Sequence, residues 1–328
     1  MRTVRRILVA VKDPHARILP AVEKAAQLAR AFDAQLELFH ALSSPIFLDV
    51  EGLGNSSLAE IEETRRGRLQ QRLETLASRI RKHGVSVSTV TEWDFPAYEA
   101  IVRRAQRSKA DLIVAECHPG EHRAPWLLRL TDWELLRYSP VPVLLVKGKR
   151  PYRNPVVLAA VDPSHAFAKP AKLDDEILQV AGSIKAALRG TLHTAHAYVP
   201  LPTDAKPAEL LDPEATSILE TRARAAARQR LEPLARKANI PPARRHLLGQ
   251  HPINAIPLLA RDLSASIVVM GAVSRSGLKR LFIGNTAERM LDALTCDVLV
   301  VKPPGFANRL RSTARGTRLV TAPVPPLI

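Results

Sequence analysis

The sequence predicts an α/β fold written twice: two tandem units, each a five-stranded parallel sheet flanked by helices. Three observations carry this prediction: internal similarity that recurs in order, β-branched runs alternating with longer 3.6-period segments, and strands that are apolar throughout. Ala10-Val11-Lys12-Asp13-Pro14-His15 matches Ala160-Val161-Asp162-Pro163-Ser164-His165. Ala110-Asp111-Leu112-Ile113-Val114 matches Ala265-Ser266-Ile267-Val268-Val269, and Val143-Leu144-Leu145-Val146-Lys147 matches Val298-Leu299-Val300-Val301-Lys302. Three matches in one order, at offsets of roughly 150 residues, mark a duplicated unit and not chance likeness at one strand.

Taken in order, the first half predicts strands over 6–11, 35–40, 85–90, 111–115 and 142–146, with helices over 16–32, 57–83, 96–108 and 130–138. Alternation of short β-branched runs with helical segments is the pattern of βαβ crossovers. Arg65, Arg66, Arg68 and Arg72 are read as a solvated face of the second helix. The stretch Gly148–Pro155 is basic, and residues before its prolines are pushed out of helix, which makes it a short linker. The second half repeats the order with strands near 156–161, 191–197, 243–247, 266–270 and 297–301 and helices near 172–188, 213–238, 252–263 and 284–294. Val156–Val161 is continuously apolar, as a strand covered on both faces must be. The edge strands 142–146 and 297–301 are expected to cover one another, since exposed apolar edges invite aggregation. Beyond Lys302 the pattern fails: prolines punctuate a tail with Arg309, Arg311, Arg315 and Arg318 and no acid, and disorder is expected there. The domains are therefore placed at 1–150 and 151–303, with a basic tail at 304–328.

Composition narrows the function classes. A chain of 328 residues that is 46% hydrophobic and 24% charged is not wholesale disordered. Its longest apolar runs fall far short of the roughly 20 residues that span a bilayer, and Ile7–Val11 is too short for a secretory core. The expected location is the cytoplasm. Cys117 and Cys296 form neither a disulfide framework nor a CxxC pair, which fits a reducing compartment. A net charge of +16 raises the prospect of an anionic partner. Aromatic residues are only 4% of the chain, so the stacking platforms of single-strand binders are scarce and nucleic acid is not the favoured partner.

In open parallel sheets, ligands lie beyond the carboxyl ends of strands. In the second half Asp162 follows the first strand, and the fourth runs into Gly271-Ala272-Val273-Ser274-Arg275-Ser276-Gly277, then Gly284-Asn285-Thr286 at a helix start. Such a loop can aim backbone N–H groups and a hydroxyl at a phosphate. The competing reading is plainer: Gly271 opens a turn, and Asn285 or Thr286 caps a helix.

This segment resembles the universal stress protein motif Gly-x2-Gly-x9-Gly-[Ser/Thr], with Gly271 and Gly284 at the right spacing, Ser274 at the middle glycine and Asn285 at the hydroxyl position. The duplication, the run Gly284-Asn285-Thr286-Ala287-Glu288 and Thr131–Arg137 resemble the tandem-domain members of that family, over about residues 4–303. The resemblance implies Rossmann-like units of the adenine-nucleotide alpha hydrolase type, with ATP as the candidate cofactor, bound in some members and not in others. It assigns the nucleoside end to Asp162 and the phosphates to Gly271, Ser274, Gly284, Asn285 and Thr286. Two departures bear on that site: a side chain at Ser274 narrows the approach to phosphate, and Asn285 lacks the hydroxyl that Thr286 carries one residue later.

The first half departs further, with Glu116 in place of the strand-four glycine, Arg129 near the position of Gly284 and no glycine loop between, so no phosphate site is expected there. Glu116, Cys117, His118, Glu121 and His122 cluster in that loop, yet Pro119-Gly120 turns the chain between the histidines; a surface turn over a buried Cys117 is preferred to a metal site. His193 and His196, three apart on a strand, face opposite ways and do not form a ligand pair. No Ser-His-Asp order or HExxH segment is apparent, so no catalytic machinery is expected. The resemblance implies a non-enzymatic protein aiding survival of growth arrest, oxidative stress or DNA damage, acting through a ligand or partner bound mainly by the second half. Its halves are expected to pack as an intramolecular pseudo-dimer, with a homodimer as a further state. An ATP switch with slow hydrolysis, an apolar-metabolite carrier and an anionic-surface binder are the alternatives.

Overall fold

Continuous apolar runs become fully covered parallel strands, and the longer amphipathic segments become the helices that cover them. The computed structural model describes residues 4–43, 46–48, 55–117, 129–163, 172–199, 213–271, 285–303, 305–306 and 310–321. They divide into two compact units. Val4–Val143 with Ala307–Ile328 form the N-terminal unit, and Leu144–Phe306, with Met1–Thr3, form the C-terminal unit.

In the N-terminal unit the elements run β1(Arg6–Ala10), α1(Pro20–Phe32), β2(Gln35–Leu42), β3(Ile46–Leu48), α2(Asn55–Arg81), β4(Val87–Trp93), α3(Ala97–Arg107), β5(Leu112–Glu116) and α4(Arg129–Tyr138). The sheet order is β4-β2-β1-β5 and every pair is parallel. Its centre is β1, whose Ile7, Leu8, Val9 and Ala10 are all buried, with α1 packed against the strand. Pro20 opens α1 at a position where its missing N–H costs nothing, and Asp33 ends it in the left-handed region at φ 53°.

The C-terminal unit contains β6(Val143–Val146), except for its first residue, then β7(Val156–Ala160), α5(Leu173–Ala187), β8(Thr191–Ala197), α6(Pro213–Lys237), β9(Arg245–Leu248), α7(Pro252–Asp262), β10(Ile267–Gly271), α8(Asn285–Ala293) and β11(Asp297–Val301). The order is β6-β11-β10-β7-β8-β9, with β7 and β10 parallel at the centre. Each sequence repeat thus supplies five core strands of an α/β sheet, but the fifth strand of the first repeat lies beside β11 in the C-terminal unit. Val143–Val146 and Val298–Val301 are apolar and buried, and β6 covers one side of β11. Asp297 closes this end of the sheet: it is buried, accepts from the Lys147 and Gly148 backbone N–H groups at 2.9 Å each, and accepts from the Tyr152 hydroxyl at 2.5 Å.

Of the tail, for which disorder is expected, residues 305–306 and 310–321 are described. Leu319–Thr321 forms β12, parallel to β3 with Leu319 beside Ile46, and Arg315 is ion-paired to Glu99. A basic segment without a core of its own is held by a carboxylate elsewhere in the chain, a contact that composition cannot reveal. Among the described residues no helix is long and apolar enough to cross a membrane.

Candidate functional site

Beyond the carboxyl ends of β1 and β2, the N-terminal unit opens into a cleft of about 870 Å³. Volumes of this order hold small-molecule ligands. One wall is the loop leaving β1. Val11 N–H still pairs with Phe39 O at 2.8 Å, after which Asp13 turns the chain by accepting from the His15 backbone N–H at 2.8 Å. Arg72 of α2 donates to Pro14 O at 3.3 Å and ties that loop to the helix. The far wall is the first half of α2, where Ile61, Arg65, Arg68 and Leu69 line the opening.

The charge on these walls is uneven. Lys12, Arg65 and Arg68 face Asp13 and Glu60, three permanent cations against two carboxylates. The Arg65 guanidinium stands 5.6 Å from the centre of the Trp93 ring, a cation–π contact that holds it in place without neutralising it. Neither Lys12 nor Arg68 is ion-paired among the described residues. His40 also lines the cleft, with Nδ1 2.7 Å from Val11 O. A carbonyl can only accept, so Nδ1 carries the proton and Nε2 is the acceptor in the neutral ring. Burial lowers the His40 pKa, outweighing the raising effects of the Val11 carbonyl and Asp13, so the ring is neutral near pH 7.

The C-terminal unit repeats the same skeleton. Val161 N–H pairs with Ala195 O at 3.0 Å, Asp162 follows, and buried His196 places Nδ1 3.3 Å from Val161 O. The Asp162 side chain is 57% exposed, 3.9 Å from the His196 ring, and its backbone N–H donates to Asp174 Oδ1 at 3.0 Å. Neighbouring β10 ends at Gly271, which brings two of the sequence-derived site residues to one edge of the sheet. A Cβ on Gly271 would stand 2.7 Å from Leu173 Cδ2 and 3.2 Å from Ile177 Cδ1, so here glycine lets α5 close onto the sheet. Ser274 and Gly284 lie outside the described residues; Asn285 and Thr286 begin the α8 backbone.

Sequence reasoning missed the repeated histidine. His40 and His196 occupy matching places at the ends of β2 and β8, and each engages the carbonyl of the residue that ends its unit's first apolar run. The signal was present in the alignment of the two halves, since both histidines fall within second strands that had been paired by order alone. His193 instead reaches across to His246, the register partner of Ala195, Nδ1 to Nε2 at 3.0 Å with stacked rings, and burial lowers the pKa of both. Cys117 is half-buried, less than expected, because it lies just past the end of β5. His118, Glu121 and His122 lie outside the described residues, and among those described there is no group of three metal-ligating side chains.

A duplicated parallel sheet with an aspartate and a carbonyl-bound histidine at the carboxyl edge of each unit defines a class of tandem α/β proteins. The chain belongs to the universal stress protein family, whose model matches residues 3–147 and 157–302. It is 30% identical over 311 residues to Universal stress protein E of Salmonella typhi, covering 91% of this chain and 95% of the relative. To Universal stress protein E of Escherichia coli K12 it is 29% identical, covering 91% and 94%. A solved protein of unknown function from Pseudomonas aeruginosa PAO1 superposes with a TM-score of 0.68 at 28% identity, over 92% of this chain and 93% of that one.

Proposed function

We propose that this chain is a non-enzymatic, cytoplasmic stress-response protein that responds to an anionic small molecule held in the N-terminal cleft. The observation that carries the reading is the excess of cations on the cleft wall, with Lys12 and Arg68, beside the carboxyl ends of β1 and β2, in no ion pair among the described residues. This differs from the sequence expectation that the ligand sits mainly in the second half. There the phosphates were to be held by a glycine loop; here charge comes from the side of α2, with no backbone nest required. Asp13 and the acceptor face of His40 suit hydroxyl groups, and Ile61, Leu42 and Leu69 suit an apolar or aromatic body. A nucleotide combines all three features.

A second reading keeps an ATP site in the C-terminal unit, with Asp162 at the nucleoside end and Gly271, Ser274, Gly284, Asn285 and Thr286 at the phosphates. The exposed carboxylate of Asp162 at the end of β7 favours it.

Titration calorimetry of the full chain with Mg-ATP and with hexyl phosphate separates these readings. Arg68→Glu changes the local charge by two units; at about 6 Å and an effective dielectric of about 40, each unit contributes about 1.4 kcal/mol, or roughly tenfold. The N-terminal reading expects Arg68→Glu to weaken the bound anion at least tenfold while Asp162→Ala leaves it unchanged. Binding lost in Asp162→Ala but retained in Arg68→Glu overturns it in favour of the second site, and no binding of either probe overturns both.

A further inference from the structure

The N-terminal unit buries a charge cluster beside α3 that the cleft does not use. The Arg103 side chain is 1% exposed, and its guanidinium is divided between two carboxylates. Nε and Nη2 donate to Asp94 at 2.8 and 2.7 Å, and Nη1 donates to Glu99 at 2.8 Å. Asp94 and Glu99 are 0% and 6% exposed. One guanidinium cannot neutralise two carboxylates, so these three side chains alone would leave a buried negative charge, which low-dielectric surroundings penalise heavily.

The second cation comes from the far end of the chain. Arg315 donates through Nη2 and Nε to the two Glu99 oxygens at 2.7 and 3.2 Å, and its backbone N–H donates to Asp94 Oδ1 at 2.9 Å. Its guanidinium stands 5.9 Å from the centre of the Phe95 ring, and Arg311 O accepts from Arg103 at 3.4 Å. A carboxylate met by the planar guanidinium fork, an aromatic face and a backbone pair together form a recognition site for an arginine within an extended segment. The receptor is part of the fold, since Arg103 of α3 holds both carboxylates without the tail's help, whereas the Arg315 side chain is 42% exposed.

We propose that Asp94, Phe95 and Glu99 form an arginine-docking surface whose resident occupant is this chain's own C-terminal segment, residues 310–321, held through Arg315. Burial raises the Glu99 pKa, but hydrogen bonds and charge from Arg103 and Arg315 outweigh it and hold the carboxyl below its usual value, so the receptor is ionised at neutral pH. Downstream, β12 adds backbone pairing to β3, which any sequence could make, so the specificity of docking rests on Arg315. The surface touches the cleft's own wall, because Asp94 N–H donates to Leu42 O at 3.3 Å and Leu42 lines the opening. The docking itself does not depend on what the cleft binds.

Two measurements on the full chain test this. Amide exchange across 310–318 is expected to accelerate at least tenfold in Arg315→Ala, less in Arg315→Lys, with β1 and β2 unchanged in both. In the second, a fluorescent peptide of residues 310–321 is titrated by anisotropy. It is expected to bind the Arg315→Ala chain, to bind wild type at least tenfold more weakly because the surface is already occupied, and to lose binding when the peptide itself carries R315A. Wild-type exchange in 310–318 as fast as in the free peptide, no effect of Arg315→Ala, no binding to the Arg315→Ala chain, or equal binding of the two peptides would each overturn the proposal.

Discussion

Gly271 is the residue at which a packing role and a ligand role part most cleanly, and Gly271→Ala tests which one the fold requires. The added Cβ would stand 2.7 Å from Leu173 Cδ2, 3.1 Å from Leu173 Cγ and 3.2 Å from Ile177 Cδ1. Leu173 and Ile177 are 1% and 2% exposed, so neither can swing into solvent. Overpacking of this kind costs about 1–3 kcal/mol. Relief of glycine's backbone entropy within a strand returns about 0.5–1 kcal/mol. The net expectation is a loss of about 1–2 kcal/mol, roughly a 5–30-fold shift in the local opening equilibrium. All three tryptophans, Trp93, Trp126 and Trp133, fall in the first half, so fluorescence does not report on this site. Amide exchange in β7 and β10 does. In a Leu173→Ala background, itself costing about 2–5 kcal/mol, the nearest obstructing atoms are gone; Ile177 Cδ1 alone remains, at 3.2 Å, and the glycine entropy gain offsets it, so Gly271→Ala should become close to neutral. That is a coupling of at least about 1 kcal/mol between contacting residues. A neutral or stabilising Gly271→Ala in the wild-type background, or an unchanged cost in the double variant, would refute the packing account and return the glycine to ligand approach.

Two further outcomes follow from titrating groups, one buried and one half-buried. Tyr152→Phe removes a charge-assisted hydrogen bond to buried Asp297 and should cost about 1.5–3 kcal/mol by denaturant unfolding of the C-terminal unit. Burial and Asp297 raise the Tyr152 pKa well above its usual value. Its stabilisation is therefore full below the unfolded pKa of about 10 and is lost as pH rises through the folded value, and Tyr152→Phe should flatten that alkaline loss. His40 is lowered by burial, so the sign is reversed. Its contribution is full above the unfolded pKa of about 6.5 and is lost as pH falls through the folded value; His40→Gln should reduce the acid sensitivity seen in unfolding followed by tryptophan fluorescence, which reports on the first half. Equal slopes in wild type and variant would contradict either assignment.

Much of the fold was legible because fully covered parallel strands leave an unmistakable trace. Val156–Ala160 and Ile267–Gly271 carry almost nothing but apolar residues, and the duplicated order of such runs fixed the succession of strands and helices. The cleft was less legible. Arg65 and Arg68 lie on α2, a long helix rich in charge on all sides, so its sequence does not say which arginines face solvent and which face an opening. Arg103 was hidden by a general expectation, since fully buried arginines are rare unless paired, and its partners Asp94 and Glu99 look like ordinary surface acids. Arg315 lies more than 200 residues beyond them in sequence, a distance over which local pattern carries no information. His193 and His246 illustrate the same limit, since only the β8–β9 register brings them together.

The most direct test of the central claim is where protection appears when an anion binds. Amide exchange of the full chain, with and without saturating Mg-ATP, is expected to slow in residues 11–15, 40–43 and 60–69 around the N-terminal cleft, and to stay unchanged in β7, β10 and α8. Protection confined to the residues after β7 and the start of α8, with none around Asp13, His40 and Arg68, would contradict the account and place the ligand in the C-terminal unit.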